Sequence, residues 1–380
     1  MPEQVDHVTQ SPVFPDYRGP CVSGIVPALL DHLDGQDASL PIWIASRVGD
    51  ARQAVVLVID GLGWEQLAAR RRLAPTLASL RGGPITTVAP STTSTALTSI
   101  ATGTAPAEHG VLGYRVLIDG DNVLNILRWQ LTDGSDASER VKPAELQLVS
   151  PFRGRPVPVV TRSEFAGTGF TALYLSGARQ IGYMASSSLP FDVRDALHQG
   201  EPLVVAYYAT LDTVAHQHGF GERYDAELAA VDRLVAAVAS MLPAGCVMLV
   251  TADHGQVDVV EPPIVIPDEV LAGVRVMSGE GRFRWLHAVP GASDELLDAC
   301  QALYSDVAWV KSRDEVVDEG WFGGSLPEGR ESMIGDVAVI ARAPVAFHDP
   351  NDVGKLALRC RHGSLTSAEM LVPLLAFRVD

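Results

Sequence analysis

Four stretches of the chain carry unbroken apolar runs that stop at an acidic or small residue: "QAVVLVIDG" (53–61), "TALYLSG" (171–177), "PLVVAYYATLD" (202–212) and "GCVMLVTADHG" (245–255). Continuous rather than alternating hydrophobicity predicts strands covered on both faces, as in a mostly parallel sheet. Between the last two lies "RYDAELAAVDRLVAAVASML" (223–242), where Leu228, Val231, Leu234, Val235, Val238, Met241 and Leu242 fall on one helical face. Strand, helix, strand is the alternation of an open, doubly wound, mostly parallel α/β sheet with helices on both faces. In such sheets ligands collect beyond the carboxyl ends of the strands. Asp60, Asp212 and Asp253 all stand at those ends.

On either side of this core the pattern loosens. Residues 1–20 read as a polar, Pro-containing tail. Residues 261–335, rich in Pro and Gly with mixed charges and Trp, read as a smaller inserted cap lobe, and "DVAVIARAPVAF" (336–347) as a return to sheet. The expected core is therefore 21–260 together with 336–380. Within the lobe, Arg282, Arg284 and Trp285 of "GRFRWLH" are read as a solvated face, although such residues also grip bases and phosphates by stacking and charge.

A different pattern fills "TTVAPSTTSTALTSIATG" (86–103), where hydroxyls crowd around one Pro before a short apolar segment. Hydroxyls at that density are poor core material. The loop either caps the helix expected over "STALTSIA", with Gly103 as its stop, or presents one hydroxyl to chemistry.

Composition narrows the choice. With 380 residues, 47% hydrophobic and 20% charged, the chain is globular and long enough for one large α/β domain or two ordinary ones. Its 29 basic against 46 acidic residues give a net charge of −17, so neither a nucleic-acid polymer nor an anionic membrane is an expected partner. An anionic substrate needs a local reversal of that field, which a metal site supplies. No apolar run approaches the ~18 residues that span a bilayer. The cysteines, Cys21, Cys246, Cys300 and Cys360, form no CxxC pair and read as reduced thiols, and the first residues lack the basic start and apolar stretch of a signal peptide. A cytoplasmic protein is the expectation; the oligomeric state is not legible.

The candidate chemistry sits at the strand ends. In "LDTVAHQHG", Asp212 and His216 are four residues apart and share one face of a helical turn. "ADHG" sets Asp253 beside His254, and "RHGS" supplies His362 before a glycine. With Asp60 this makes three carboxylates and three imidazoles, a donor set that zinc or manganese accepts. Singly each residue has a plainer reading: a strand-end Asp often caps a helix, and a lone His362 is an ordinary surface histidine. His109 reads as a supporting or packed residue, His218 and His287 as weak candidates, and His7, His32, His198 and His348 carry no context. The joint occurrence favours a metal centre.

The order "VIDGLG", hydroxyl-rich loop, "TGTAPAEHGV", "LDTVAH", "ADHG" and "HGSLTSAEMLVPLL" resembles the alkaline phosphatase superfamily, and within it the type I phosphodiesterase/nucleotide pyrophosphatase family, over roughly residues 54–380 with 260–335 unmatched. The resemblance implies two divalent ions, zinc or manganese: one on Asp212, His216 and His362, the other on Asp60, Asp253, His254 and a nucleophilic hydroxyl. The family's nucleophile is a Thr three residues after a Pro and nine before a Thr-Gly pair; Pro90 and Thr102 both point to Thr93, with Thr92 the rival. The implied reaction is hydrolysis of a small phosphate ester or nucleotide through a phospho-Thr93 intermediate, with diesters or pyrophosphates favoured over monoesters. Where family members carry a phosphoryl-binding Asn after the His-Gly, this chain has Tyr114, which is a substitute donor, the mark of another substrate, or a packed ring. A phosphomonoesterase, a cofactor-independent phosphomutase and a metal-dependent binding protein on a hydrolase scaffold remain alternatives. A sulfatase fits poorly, since its nucleophile position takes Cys or Ser.

Overall fold

Three of the four apolar runs become the middle of a seven-stranded sheet in a computed structural model that describes residues 11–35, 40–352 and 358–379. Its strands in chain order are β1 (Gln53–Ile59), β2 (Arg81–Thr86), β3 (Pro158–Arg162), β4 (Arg179–Tyr183), β5 (Leu203–Tyr208) and β6 (Cys246–Thr251). Four further strands, β7 (Val274–Glu280), β8 (Phe283–Ala288), β9 (Ala308–Ser312) and β10 (Val337–Ala341), form a separate antiparallel sheet, and β11 (Leu371–Arg378) returns to the first. The large sheet runs β2-β11-β6-β1-β5-β3-β4, with only β11 antiparallel to its neighbours. Every residue of β5 and β6, and all of β1 after Gln53, is buried. Successive strand side chains point to opposite faces, so both faces are covered.

The centre of the sheet aims the chemistry. β1 lies between β6 and β5, all three parallel, so Asp60, Asp253 and the segment reaching Asp212 emerge from one edge. Helix α1 (Thr93–Thr102) follows β2; α3 (Thr210–His218) and α4 (Glu222–Ser240) follow β5, with α2 (Gly169–Tyr174) between β3 and β4. Leu228, Val231, Leu234, Val235 and Val238 of α4 are buried as its periodicity predicts.

The run 171–177 is not a strand. Thr168 accepts a hydrogen bond from the Thr171 amide (3.2 Å) and caps α2, which takes up the first four residues of the run. A run this short has no length by which to tell strand from helix, so the cap decides it. The strands on that side are instead β3 and β4, five residues each.

Residues 11–20, read as part of a tail, lie against the core: the Val13 amide donates to the Leu365 carbonyl (2.8 Å) and the Tyr17 hydroxyl to the Trp321 carbonyl (2.7 Å). Residues 1–10 fall outside the described ones. The strand expected in 336–347 forms as β10, but it pairs with β8 and β9 rather than with the large sheet.

Arg282, Arg284 and Trp285 are not a solvated face; all three are buried. Arg282 donates to both carboxylate oxygens of Glu369 (2.7 and 2.8 Å) and to the carbonyls of Ala343 and Val345. Arg284 reaches the Phe347 carbonyl (3.1 Å), and Trp285 packs on Phe283. Alternation along β8 hid them, because both of its faces are covered by protein.

Candidate metal centre

Asp60 follows the last residue of β1, and the next residue, Gly61, turns the chain with φ +71°. A Cβ there would fall 2.4 Å from Gln256 Nε2 and 3.1 Å from Asp212 Cβ, so only glycine lets the turn pass between these groups. The Gly61 and His254 amides both donate to Asp253 Oδ1 (3.1 Å each), which leaves Oδ2 facing Asp60 and His254. His254 Nε2 lies 3.4 Å from Asp60 Oδ1 and 3.5 Å from Asp253 Oδ2. Asp60 Oδ2 accepts from the Tyr207 hydroxyl. The remaining oxygens, Asp60 Oδ1 and Asp253 Oδ2, are buried with no hydrogen-bond partner among the described residues.

On the neighbouring helix α3, Asp212 and His216 share one face, with His216 Nε2 3.2 Å from Asp212 Oδ1. Gln256 Nε2 donates to Asp212 Oδ1 (2.7 Å). His362 arrives from the far end of the chain and stacks on His254 with ring centroids 3.5 Å apart; the His216 ring is 5.2 Å from it.

All three imidazoles are set in the same way. Nδ1 of His216 faces the Cys360 carbonyl (2.6 Å), that of His254 the Gly255 carbonyl (3.0 Å) and that of His362 the Ser91 carbonyl (2.9 Å). A carbonyl only accepts, so each Nδ1 carries a proton, and in His216 and His254 Nε2 is turned toward the carboxylates, the orientation that metal-binding histidines take. Burial, then the charges of Asp253 and Asp212, pushes the Asp60 carboxyl well above its usual range; burial raises Asp253 as well. Burial and the two neighbouring imidazoles hold His362 well below its usual value. Crowded carboxylates with orphaned oxygens call for cations, and together with the imidazoles the donor set fits divalent ions. Two groups have ligand atoms within 4.8 Å of one another: Asp60, Asp253 and His254, and Asp212, His254 and His362. His254 thus joins both, while His216 stands beside the second through Asp212.

The hydroxyl-rich loop closes over this edge. The helix forms as expected, and Gly103 ends it with φ +75°. The Thr92 side chain makes no cap hydrogen bond at its N-terminus, so the amides of the first turn keep their donors for a ligand. Thr93 Oγ1 stands 3.1 Å from His254 Nε2, while the Thr92 side chain lies near Glu280. Ser91 ties the loop to the His362 segment: its hydroxyl donates to the Ser364 carbonyl (2.7 Å) and accepts from the Gly363 amide (3.1 Å). His109 is buried and structural. Its Nδ1 accepts from the Val111 amide (3.1 Å) and its Nε2 lies 2.8 Å from Ser99 Oγ; burial lowers its pKa to about 3.

Thr93, Asp212, His216 and His362 open into a cleft of about 390 Å³ that Tyr114 and Glu280 also line. A hollow of about 490 Å³ beside Tyr17, Trp43 and Glu108 is larger but holds none of the candidate ligands. Sequence reasoning missed Gln256, Tyr207 and Glu280. Gln256 follows the "DHG" turn directly, a signal that was present; Tyr207 and Glu280 lie inside strands and carry no motif.

A model of the type I phosphodiesterase/nucleotide pyrophosphatase family matches residues 54–364. No curated protein matches the chain by sequence. Among solved structures, phosphonoacetate hydrolase from Sinorhizobium meliloti 1021, in complex with phosphonoacetate, is similar at 19% identity and TM-score 0.63, over 86% of this chain and 90% of that one. Inactive murine ectonucleotide pyrophosphatase/phosphodiesterase 5, in complex with AMP, is similar at 14% identity and TM-score 0.64, over 86% and 89%. Its human counterpart aligns at 14% identity and TM-score 0.64, over 86% and 88%. At these identities the structures speak for the fold, an alkaline phosphatase-like α/β architecture, and the family model for descent: the chain belongs to the type I phosphodiesterase/nucleotide pyrophosphatase family of the alkaline phosphatase superfamily.

Proposed function

We propose that the protein hydrolyses small phosphoric diesters or nucleotide pyrophosphates, with Thr93 as the nucleophile and two divalent ions, zinc or manganese, held at the edge of the sheet. The observation that carries this reading is the Thr93 hydroxyl, placed at an uncapped helix start and 3.1 Å from the imidazole that both candidate ligand groups share. Asp60, Asp253 and His254 would hold one ion beside Thr93, and Asp212, His216 and His362 the other. When bound, such ions supply positive charge to the attacking and leaving oxygens of an in-line displacement.

The chain's own groups do the rest. The first-turn amides of α1 and its dipole orient the phosphoryl oxygens. Thr93 Oγ1, its proton lost to solvent, forms a bond to phosphorus as the bond to the departing alkoxide or phosphate breaks; that group leaves and takes a proton. Water then attacks the phospho-Thr93 from the vacated side, its oxygen bonding to phosphorus as the Thr93 oxygen leaves, so one water is consumed per ester cleaved. Phosphonoacetate and AMP in the similar structures are both small phosphorus oxyanions, in keeping with a cleft of about 390 Å³. Four buried, unpaired cysteines support a reducing, cytoplasmic setting.

The test is a panel of a phosphate monoester, a diester, a nucleotide pyrophosphate and phosphonoacetate on zinc- and manganese-loaded protein. Diester or pyrophosphate turnover should exceed monoester turnover, and Thr93→Ala should lower kcat about a thousandfold or more. A Thr93→Ala protein of undiminished activity would remove the nucleophile, and a preference for monoesters would remove the diester assignment.

A further inference from the structure

We infer that Asn125 aims the phenolic proton of Tyr114 into the cleft, where it donates to a non-bridging oxygen of the phosphoryl group received by Thr93. The inference rests on the reaction proposed above and adds a residue, Asn125, that lies on a strand outside both large sheets.

Three hydrogen bonds define the arrangement. The Arg128 amide donates to Asn125 Oδ1 (3.0 Å), which fixes which end of the side-chain amide is oxygen. Nδ2 is then the end that faces Tyr114, and it donates to the Tyr114 hydroxyl oxygen (2.6 Å). An amide N–H has no lone pair to offer, so the phenol accepts from Asn125 and directs its own proton elsewhere. Among the described residues no hydrogen bond takes up that proton. Tyr114 lines the cleft together with Thr93, so a ligand there can accept it.

The backbone holds this donor beside the nucleophile. Ser94, the residue after Thr93, donates its hydroxyl to the Gly113 carbonyl (2.8 Å), one residue before Tyr114. On its other side the Ile126 amide donates to the Tyr114 carbonyl (2.9 Å). Burial, with the nearby Asp352 charge, keeps the phenol above its ordinary pKa, so it stays a donor through the alkaline range. Tyr114 is thus the group that touches substrate, and Asn125 is a positioning residue that acts through it.

The direction of the Asn125 bond can be reversed without changing shape. In Asn125→Asp the carboxylate only accepts, so the phenol turns its proton away from the cleft. Tyr114→Phe removes the proton outright. On metal-loaded enzyme both variants should lower kcat/KM for a diester about tenfold to a hundredfold, with unchanged melting temperature. The double variant should be no slower than Tyr114→Phe alone, because the two residues serve one bond. Asn125→Asp within twofold of wild type, or losses that multiply in the double variant, would overturn the inference while a Thr93-dependent wild-type activity left the proposed reaction standing. Should wild type be inert on every substrate, the reaction falls and calorimetric titration with inorganic phosphate decides this point alone. Weaker binding by both variants supports the aimed phenol, and equal binding by all three proteins refutes it.

Discussion

Ser91 shows how much one hydroxyl holds in this molecule. It satisfies the Ser364 carbonyl and the Gly363 amide, while its own carbonyl fixes the tautomer of His362. Ser91→Ala leaves both buried backbone groups unpaired, and the expected cost is about 1–3 kcal/mol in a denaturant titration, together with weaker binding of metal. Two histidines away from the metal centre set a pH dependence. Burial lowers His109 to about 3 and His287 to about 4, both below the ~6.5 of an unfolded chain. Below that value the unfolded chain binds protons that the folded one refuses, so stability falls as pH drops from ~6.5 toward the folded values. At pH 5 each histidine should cost about 2 kcal/mol, and His287→Gln should make the loss between pH 7 and 5 shallower by about that amount. The candidate ligands were legible jointly, because their short motifs recur together at strand ends and turns. Asn125 and Glu280 were not, because their meaning comes from partners brought near only by folding.

At the level of elements, the strands that were legible are those buried on both faces, β1, β5 and β6, whose runs have no polar interruption. Edge strand β4 alternates exposed and half-buried residues and ends in a buried tyrosine, so its apolar signal was too thin to register, and the neighbouring α2 took its place. The Arg282–Glu369 pair was likewise invisible, because a charge inside a lobe reads as surface until its partner is known. That pair joins the second sheet to the segment carrying His362: Glu369 also accepts from the Ser364 amide (3.0 Å) and the Thr366 hydroxyl (2.5 Å). Both charges are fully buried. Arg282→Ala strands a carboxylate and should cost about 3–5 kcal/mol by thermal or chemical unfolding. Arg282→Met with Glu369→Leu should be far less harmful to stability than Arg282→Ala, since no charge is left alone.

Across the whole molecule the net charge is −17, and at the sheet edge Asp60, Asp212 and Asp253 crowd together, an arrangement that cations would relieve. The folded protein should therefore bind zinc far more tightly than the unfolded chain. Free metal at a hundred times its Kd should add about 2.7 kcal/mol of stability, read as a rise in melting temperature that chelator reverses; equal melting curves with and without metal would count against the centre. Fold class was legible at this scale because parallel α/β architecture needs only buried strands and intervening helices. The course of the second lobe was not: its antiparallel strands alternate with turns and follow no long period. Strand β11 has a consequence for biosynthesis. It inserts between β2 and β6 yet lies later in the sequence than every other strand of the sheet. A nascent chain must hold two raw edges apart until that segment leaves the ribosome. Chains stopped before residue 371 would expose them to one another and gather into aggregates.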